Sequence, residues 1–184
     1  MVPVHDTTPG GLRTRFIAEA EKLSATVHQP ASDSEAVTQI MKLISDDKKV
    51  LSWDFAHLPL QGLQTALTDA RIEVAEARDD SVRVGITGCE AALAATGSLV
   101  AASGTGKARS ASLLAAVHIA IVRADQIQVD FETWIEQQRQ NGLDAFRAVA
   151  NVVLISGPSR TADIAGELNM GVHGPGELHI ILLS

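Results

Sequence analysis

A chain of 184 residues with a formal net charge of −7 and a 46% apolar fraction is long enough for one domain with a sizeable core. Aromatic residues make up only 3% and tyrosine is absent, so the core is aliphatic; with the acidic balance, this argues against a nucleic-acid surface that stacks bases or tracks a phosphate backbone. The single cysteine, Cys89, excludes an intrachain disulfide framework and a cysteine-ligated iron–sulfur cluster, and suits a reducing compartment.

The opening stretch MVPVHDTTPGGLRTRF lacks the apolar core of a secretory signal. No apolar run approaches the roughly 20 residues that span a bilayer. The expectation is a cytoplasmic protein without a membrane span.

Residues 1–11 carry no periodicity and read as an extended lead-in. Leu12, Phe16, Ala20, Leu23 and Val27 then fall on one face of a helix. Ser32 followed by Glu35 is a capping box, and Val37, Ile40, Met41 and Ile44 form the stripe of a second helix. Residues 1–47 are expected to pack on a body spanning 48–184, the whole being one structural unit. In that body Lys49–Trp53 reads as a strand, Leu63–Ala70 as a short helix and Arg71–Val74 as a strand. SVRVGIT (81–87) alternates valine and isoleucine with small or polar residues and is a strand. CEAALAATG (89–97) is rich in alanine and ends at Gly97, which predicts a short helix with a glycine stop. Ser98–Ser103 is a strand running into the turn GTGKARS, and Val117–Ala124 is a further strand. Asp130 caps a helix over Phe131–Gln140, and Leu143–Val149 adds a helical turn or two. Strands at Val152–Ile155 and Leu178–Leu183 each adjoin a Gly-Pro turn. This alternation of strands and helices predicts an α/β fold with a mostly parallel sheet.

Several polar clusters are candidates for chemistry. In ISGPSRTADI a strand ends at Gly157-Pro158 and leads toward an expected helix start, where free N–H groups suit an anion. Ser159, Arg160 and Thr161 would add donors, and Asp163 would lie in the first turn. The plainer reading of the same residues is Ser159 or Thr161 as a helix cap and Asp163 as a dipole partner. GTGKARS is not a phosphate-binding P-loop, because Gly106-Lys107 is followed by Ala108. Lys107 and Arg109 read as an anion clamp or as solvated turn residues. His173, between glycines in GVHGPG, suits acid–base work. His118 and His179 read as strand residues, and no metal-ligand spacing occurs, so neither a metal nor a cofactor is expected. Cys89 reads as a core thiol, whereas Glu90 would face the C-terminal edge of the sheet, where open α/β sheets bind ligands. The Gly-Pro turns at 157–158 and 174–175 are expected to line one depression with Ser159, Thr161, Asp163 and His173.

Three stretches, GCEAALAATGSLVAASGTGKAR (88–109), VHIAIVRADQI (117–127) and LISGPSRTADIAGELNMGVHGPGELHIILL (154–183), resemble the LUD-domain family of LutC/YkgG-type lactate-utilisation proteins. The resemblance covers residues 80–184. It implies a three-layer α/β/α fold akin to the NagB, RpiA and CoA-transferase group. It also implies a role in bacterial L-lactate utilisation, the oxidation of lactate to pyruvate, beside Fe–S oxidoreductase partner subunits. Matched positions are Thr96, Gly97, Ser98, Gly104, His118, Ser159, Thr161, Asp163, His173, Gly174 and Pro175. The family commonly carries an acidic residue just before the T-G-[ST] run; here Ala95 stands there, and Glu90 is the nearest carboxylate. The resulting ligand-binding set is Thr96, Gly97, Ser98, Gly104, Arg109, Ser159, Arg160, Thr161 and Gly174, with Asp163, His173 and Glu90 as catalytic candidates. A small anionic ligand and a homo-oligomer fit this picture. The alternatives are a stand-alone enzyme on a sugar phosphate or CoA ester, and a non-catalytic binding module.

Overall fold

A computed structural model describes residues 4–162 and 168–184. The chain runs through α1 (Pro9–Lys22), β1 (Thr26–His28), α2 (Asp33–Ile44), β2 (Lys49–Ser52), α3 (Leu63–Asp69) and β3 (Glu73–Val74). It continues through β4 (Val84–Thr87), β5 (Ala91–Leu93), β6 (Ser98–Ser103), β7 (Val117–Arg123) and β8 (Ile127–Gln128). Then come α4 (Phe131–Gln140), α5 (Asp144–Arg147), β9 (Asn151–Ile155), β10 (Arg160–Ala162), β11 (Leu168–Met170) and β12 (Glu177–Leu183).

The central sheet has the order β1-β12-β7-β4-β2-β3, and every neighbouring pair is parallel. Its strands are β-branched, and β4 and β7 are buried almost throughout, as expected for a parallel sheet covered on both faces. Ile119 and Ile121 of β7 face α2 and α3, packing with Ile40, Ile44, Leu63 and Leu67. Ala120 and Val122 face the other way, against Phe16 and Ala20 of α1. The result is a three-layer α/β fold with a mostly parallel central sheet. A second sheet, β8-β5-β6-β9, is mixed: β5–β6 and β6–β9 are antiparallel and β5–β8 is parallel. Trp134 of α4 packs on it with Ala91, Leu93 and Val100, and Phe146 of α5 adjoins.

Both helix caps read from the sequence are present. Asp130 accepts from the Thr133 backbone N–H at 2.8 Å. Ser32 Oγ accepts from Glu35 N–H at 3.2 Å, while Glu35 Oε2 reaches back to Ala31 N–H at 2.8 Å, one residue earlier than a standard capping box. Ser32→Ala is expected to lower unfolding free energy by about 1 kcal/mol in urea titration, since it strips the acceptor from an otherwise orphaned N–H.

Three expectations fail. The first helix does not reach Val27. It stops at Lys22, Ser24 takes φ +68°, and Thr26–His28 becomes an edge strand paired in register with His179–Ile181. Residues 89–97 are not a helix: Ala91–Leu93 forms β5, pairing antiparallel with Ser98–Val100. All three β5 residues are buried, and a short apolar run buried on both sides satisfies a strand as well as a helix. Gly97 is therefore no helix stop. It has φ +68°, and a Cβ there would fall 2.2 Å from the Ala20 backbone nitrogen, so α1 can approach only a glycine. Finally, no helix starts at 159–162, because Arg160–Ala162 is strand β10, paired antiparallel with β11. Ser159, Arg160 and Thr161 therefore form no helix N-terminus that could hold an anion.

Candidate functional site

The two Gly-Pro turns meet. Ser159 N–H donates to Pro175 O at 2.7 Å, and Gly171 N–H donates to Ser159 O at 3.0 Å. A Cβ at Gly174 would sit 3.5 Å from Ser159 Cβ, so the turns lie in van der Waals contact. Gly157, at φ +89°, allows the chain to pass α1: a Cβ there would be 2.4 Å from Leu23 O. Between the turns, the 3-10 turn at Arg109–Ser112 and strand β9 lies a depression of about 230 Å³. Its polar lining is Arg109, Ser112, Ser156, Ser159 and His173, with Gly174 beside them, and no carboxylate lines it among the described residues. One guanidinium, an imidazole and the hydroxyls of Ser156 and Ser159 have a chemistry that suits a small anion, the guanidinium matching a carboxylate in a two-point contact, while the Ser112 hydroxyl donates to Arg109 O at 3.1 Å.

The other expected site residues lie elsewhere. Arg160 donates to Leu23 O at 2.7 Å and reaches Ser24 Oγ, which ties β10 to the end of α1 and gives it a structural task. Thr161 is held in β10 opposite Asn169 and is not part of the depression's lining. Asp163 lies outside the described residues. Gly104 bridges to Lys107 across the turn after β6, with Ala148 O nearby, again away from the depression. Thr96, in the β5–β6 turn, and Ser98, the first residue of β6, line a separate cavity of about 320 Å³ beside Leu23, Phe131 and Leu154. Ser98 Oγ and Ser156 Oγ are 2.8 Å apart, and Ser156 lines both cavities, so this hairpin is one hydrogen bond from the depression. The Thr96 hydroxyl is buried with no hydrogen-bond partner among the described residues.

Glu90 lies just beyond the C-terminal end of β4, as expected, with its N–H bonded to Val100 O at 2.8 Å. Its carboxylate pairs with Lys107 Nζ at 2.5 Å, and that ammonium sits 5.4 Å from the centroid of the Trp53 ring. The pair opens on its own cavity of about 160 Å³. Val152 of β9 lines this cavity, whereas Val153, Leu154, Ile155 and Ser156 line the depression between the Gly-Pro turns, so the two open at successive positions along the strand.

Burial decides the remaining candidates. Cys89 is buried, and burial, with the Glu90 charge added, pushes its thiol far above the usual range, so it is an unreactive core group. His118 is buried with Nε2 2.8 Å from Thr87 Oγ1, and burial pushes its pKa down to about 4. It is a neutral core histidine. Sequence reasoning missed the pairing of His28 Nε2 with His179 Nδ1, 3.1 Å apart, beside which Glu177 Oε2 lies 3.2 Å from His179 Nε2. The partners are 151 positions apart, and no local pattern announces them. Glu90 and Lys107 were visible individually, but their pairing was not.

No helix among the described residues is long and apolar enough to cross a membrane. The chain is similar to proteins called Lactate utilization protein C. The one from Halalkalibacterium halodurans is 28% identical over 85% of this chain and 72% of its own length. That from Macrococcus caseolyticus is 32% identical over 77% and 64%. That from Bacillus subtilis is 37% identical over 57% and 44%, so the match spans less than half of that relative. Among solved structures, a DUF162 family protein from Deinococcus radiodurans superposes with a TM-score of 0.70 at 19% identity, covering 97% of this chain and all of that one, which establishes the common fold. Residues 13–183 match the LUD domain, and the chain belongs to the LUD-domain family.

Proposed function

We propose that this protein is a LutC-like component of an L-lactate utilisation system and that the depression between its Gly-Pro turns binds a small carboxylate. The observation that carries the ligand is the clustering of Arg109, Ser112, Ser156, Ser159 and His173 with no acidic residue among the described residues that line the depression. A 2-hydroxy or 2-oxo acid suits this lining. Its carboxylate would take the guanidinium, and its second oxygen a hydroxyl or the imidazole. Relatives called Lactate utilization protein C support the same choice. With one cysteine, the chain cannot assemble a four-cysteine cluster, so electrons from lactate would pass to Fe–S partner subunits in the cytoplasm.

Isothermal titration with L-lactate and pyruvate tests the ligand. At least one is expected to bind, and Arg109→Gln is expected to weaken that binding about tenfold or more, since charge-assisted bonds are the strong ones. Binding that ignores Arg109→Gln moves the ligand elsewhere, and silence from both acids removes it. Co-purification from lactate-grown cells tests the partners: absence of Fe–S subunits from the eluate refutes that half of the reading.

A further inference from the structure

The cavity holding Glu90 and Lys107 has a chemistry unlike that of the anion depression. It is walled by Trp134, Phe146, Val149 and Val152, and its charged groups are the one ion pair. At about 160 Å³ it is the size of a cavity that takes a single aromatic ring, as an engineered cavity of about 150 Å³ does for benzene. The ion pair is sheltered yet reachable, its side chains being 21% exposed for Lys107 and 29% for Glu90.

Counting donors and acceptors defines the occupant. Lys107 carries three N–H groups and gives one to Glu90 Oε1, while Glu90 keeps Oε2. The polar end of the cavity thus offers an acceptor beside a donor, with net charge zero. An anion meets the Glu90 carboxylate, and a cation meets the Lys107 ammonium. A neutral group with an N–H and a C=O side by side satisfies both at once. We propose that this cavity is a second ligand site, selective for a neutral planar ring bearing an amide edge, an aromatic carboxamide or a lactam. The ring lies against Trp134 and Phe146, its N–H donates to Glu90, and its C=O accepts from Lys107. Lys107 is braced for this task by the Trp53 face beneath it, which orients the ammonium without occupying its remaining N–H groups.

The chain has two tryptophans, and both adjoin this site, so intrinsic fluorescence reports on it directly. The experiment titrates the whole protein with four probes of one shape: benzamide, benzoate, benzylammonium and toluene. Benzamide is expected to quench with a Kd at least tenfold lower than each of the others. Glu90→Gln, which leaves Lys107 uncompensated, is expected to reverse the order so that benzoate binds more tightly than benzamide. Equal binding of toluene and benzamide would show an apolar hole that ignores the dyad and would overturn the proposal. So would tightest binding of benzoate by the unaltered protein, or no response to any probe. The unaltered protein alone decides between these outcomes, so the test survives if Glu90→Gln fails to fold.

Discussion

Gly85→Ala is expected to lower the unfolding free energy by about 3 kcal/mol or more, a value at the upper end for overpacking. Gly85 lies in β4, all four of whose residues are buried, between β2 and β7 of the parallel sheet. A Cβ there would fall 1.8 Å from Ala111 O and 2.8 Å from Ala111 C. The obstacle is backbone, so no rotamer change relieves it. Either β4 leaves its register or the 3-10 turn at Arg109–Ser112 moves, and the second option also displaces Arg109 and Ser112 from the anion depression. The variant is therefore expected to lose both stability and any carboxylate binding. Gly10→Ala is the control. It lies in the first turn of α1 with nothing within 4 Å of its Cβ position, so alanine there is expected to be neutral or to stabilise by up to about 1 kcal/mol. Urea titration separates the two, and a Gly85→Ala protein within about 1 kcal/mol of the parent would contradict the close approach.

What the sequence made legible follows from which signals are local. The alternating valines and isoleucines of 81–87, the β-branched residues around His118 and the apolar run at 178–183 announced β4, β7 and β12, because such patterns are written in neighbouring residues. Ser32 and Asp130 announced helix starts for the same reason: a cap and its N–H lie three positions apart. CEAALAATG misled because alanine is the best helix former while the deciding force, burial between α1 and α4, comes from elsewhere in the chain. Leu23 and Val27 prolonged a helical stripe that Ser24 ends with a positive φ. The two Gly-Pro turns do meet, and Ser159, His173 and Gly174 line the depression between them, whereas Thr161 of the same expectation does not and Asp163 lies outside the described residues. Arg160 had the right chemistry for an anion, yet the backbone of Leu23 claims it. The Glu90–Lys107 pair depends on how β4, β5 and the 104–107 turn stack, which no spacing encodes.

Acid is expected to weaken the fold mainly through His118, with a slope that a single substitution reduces. The imidazole is 1% exposed, in register with Gly85 on one side and Leu178 on the other. Burial lowers its pKa from 6.5 to about 4, because the low-dielectric core disfavours the charged ring. The unfolded chain takes up the proton near the ordinary value, and the folded chain only near the depressed one. Between them the unfolded state holds more protons, so stability rises with pH. The contribution is complete above the unfolded pKa and is lost as pH falls through about 6.5 toward about 4, a swing on the order of 3 kcal/mol. His28, also depressed mainly by burial, adds a smaller contribution of the same sign. The carboxylates of Asp6 and Asp79, held low by Thr8 and Ser81, titrate further into acid and belong to a different window. His118→Gln keeps a hydrogen-bonding group opposite Thr87 but cannot titrate, so between pH 7 and pH 4.5 its stability is expected to fall much less than the parent's, by the part that His28 contributes. Matching slopes in the two proteins would mean that His118 is charged or hydrated in the folded state. The ring resonances of His118 should remain those of neutral imidazole at pH 5.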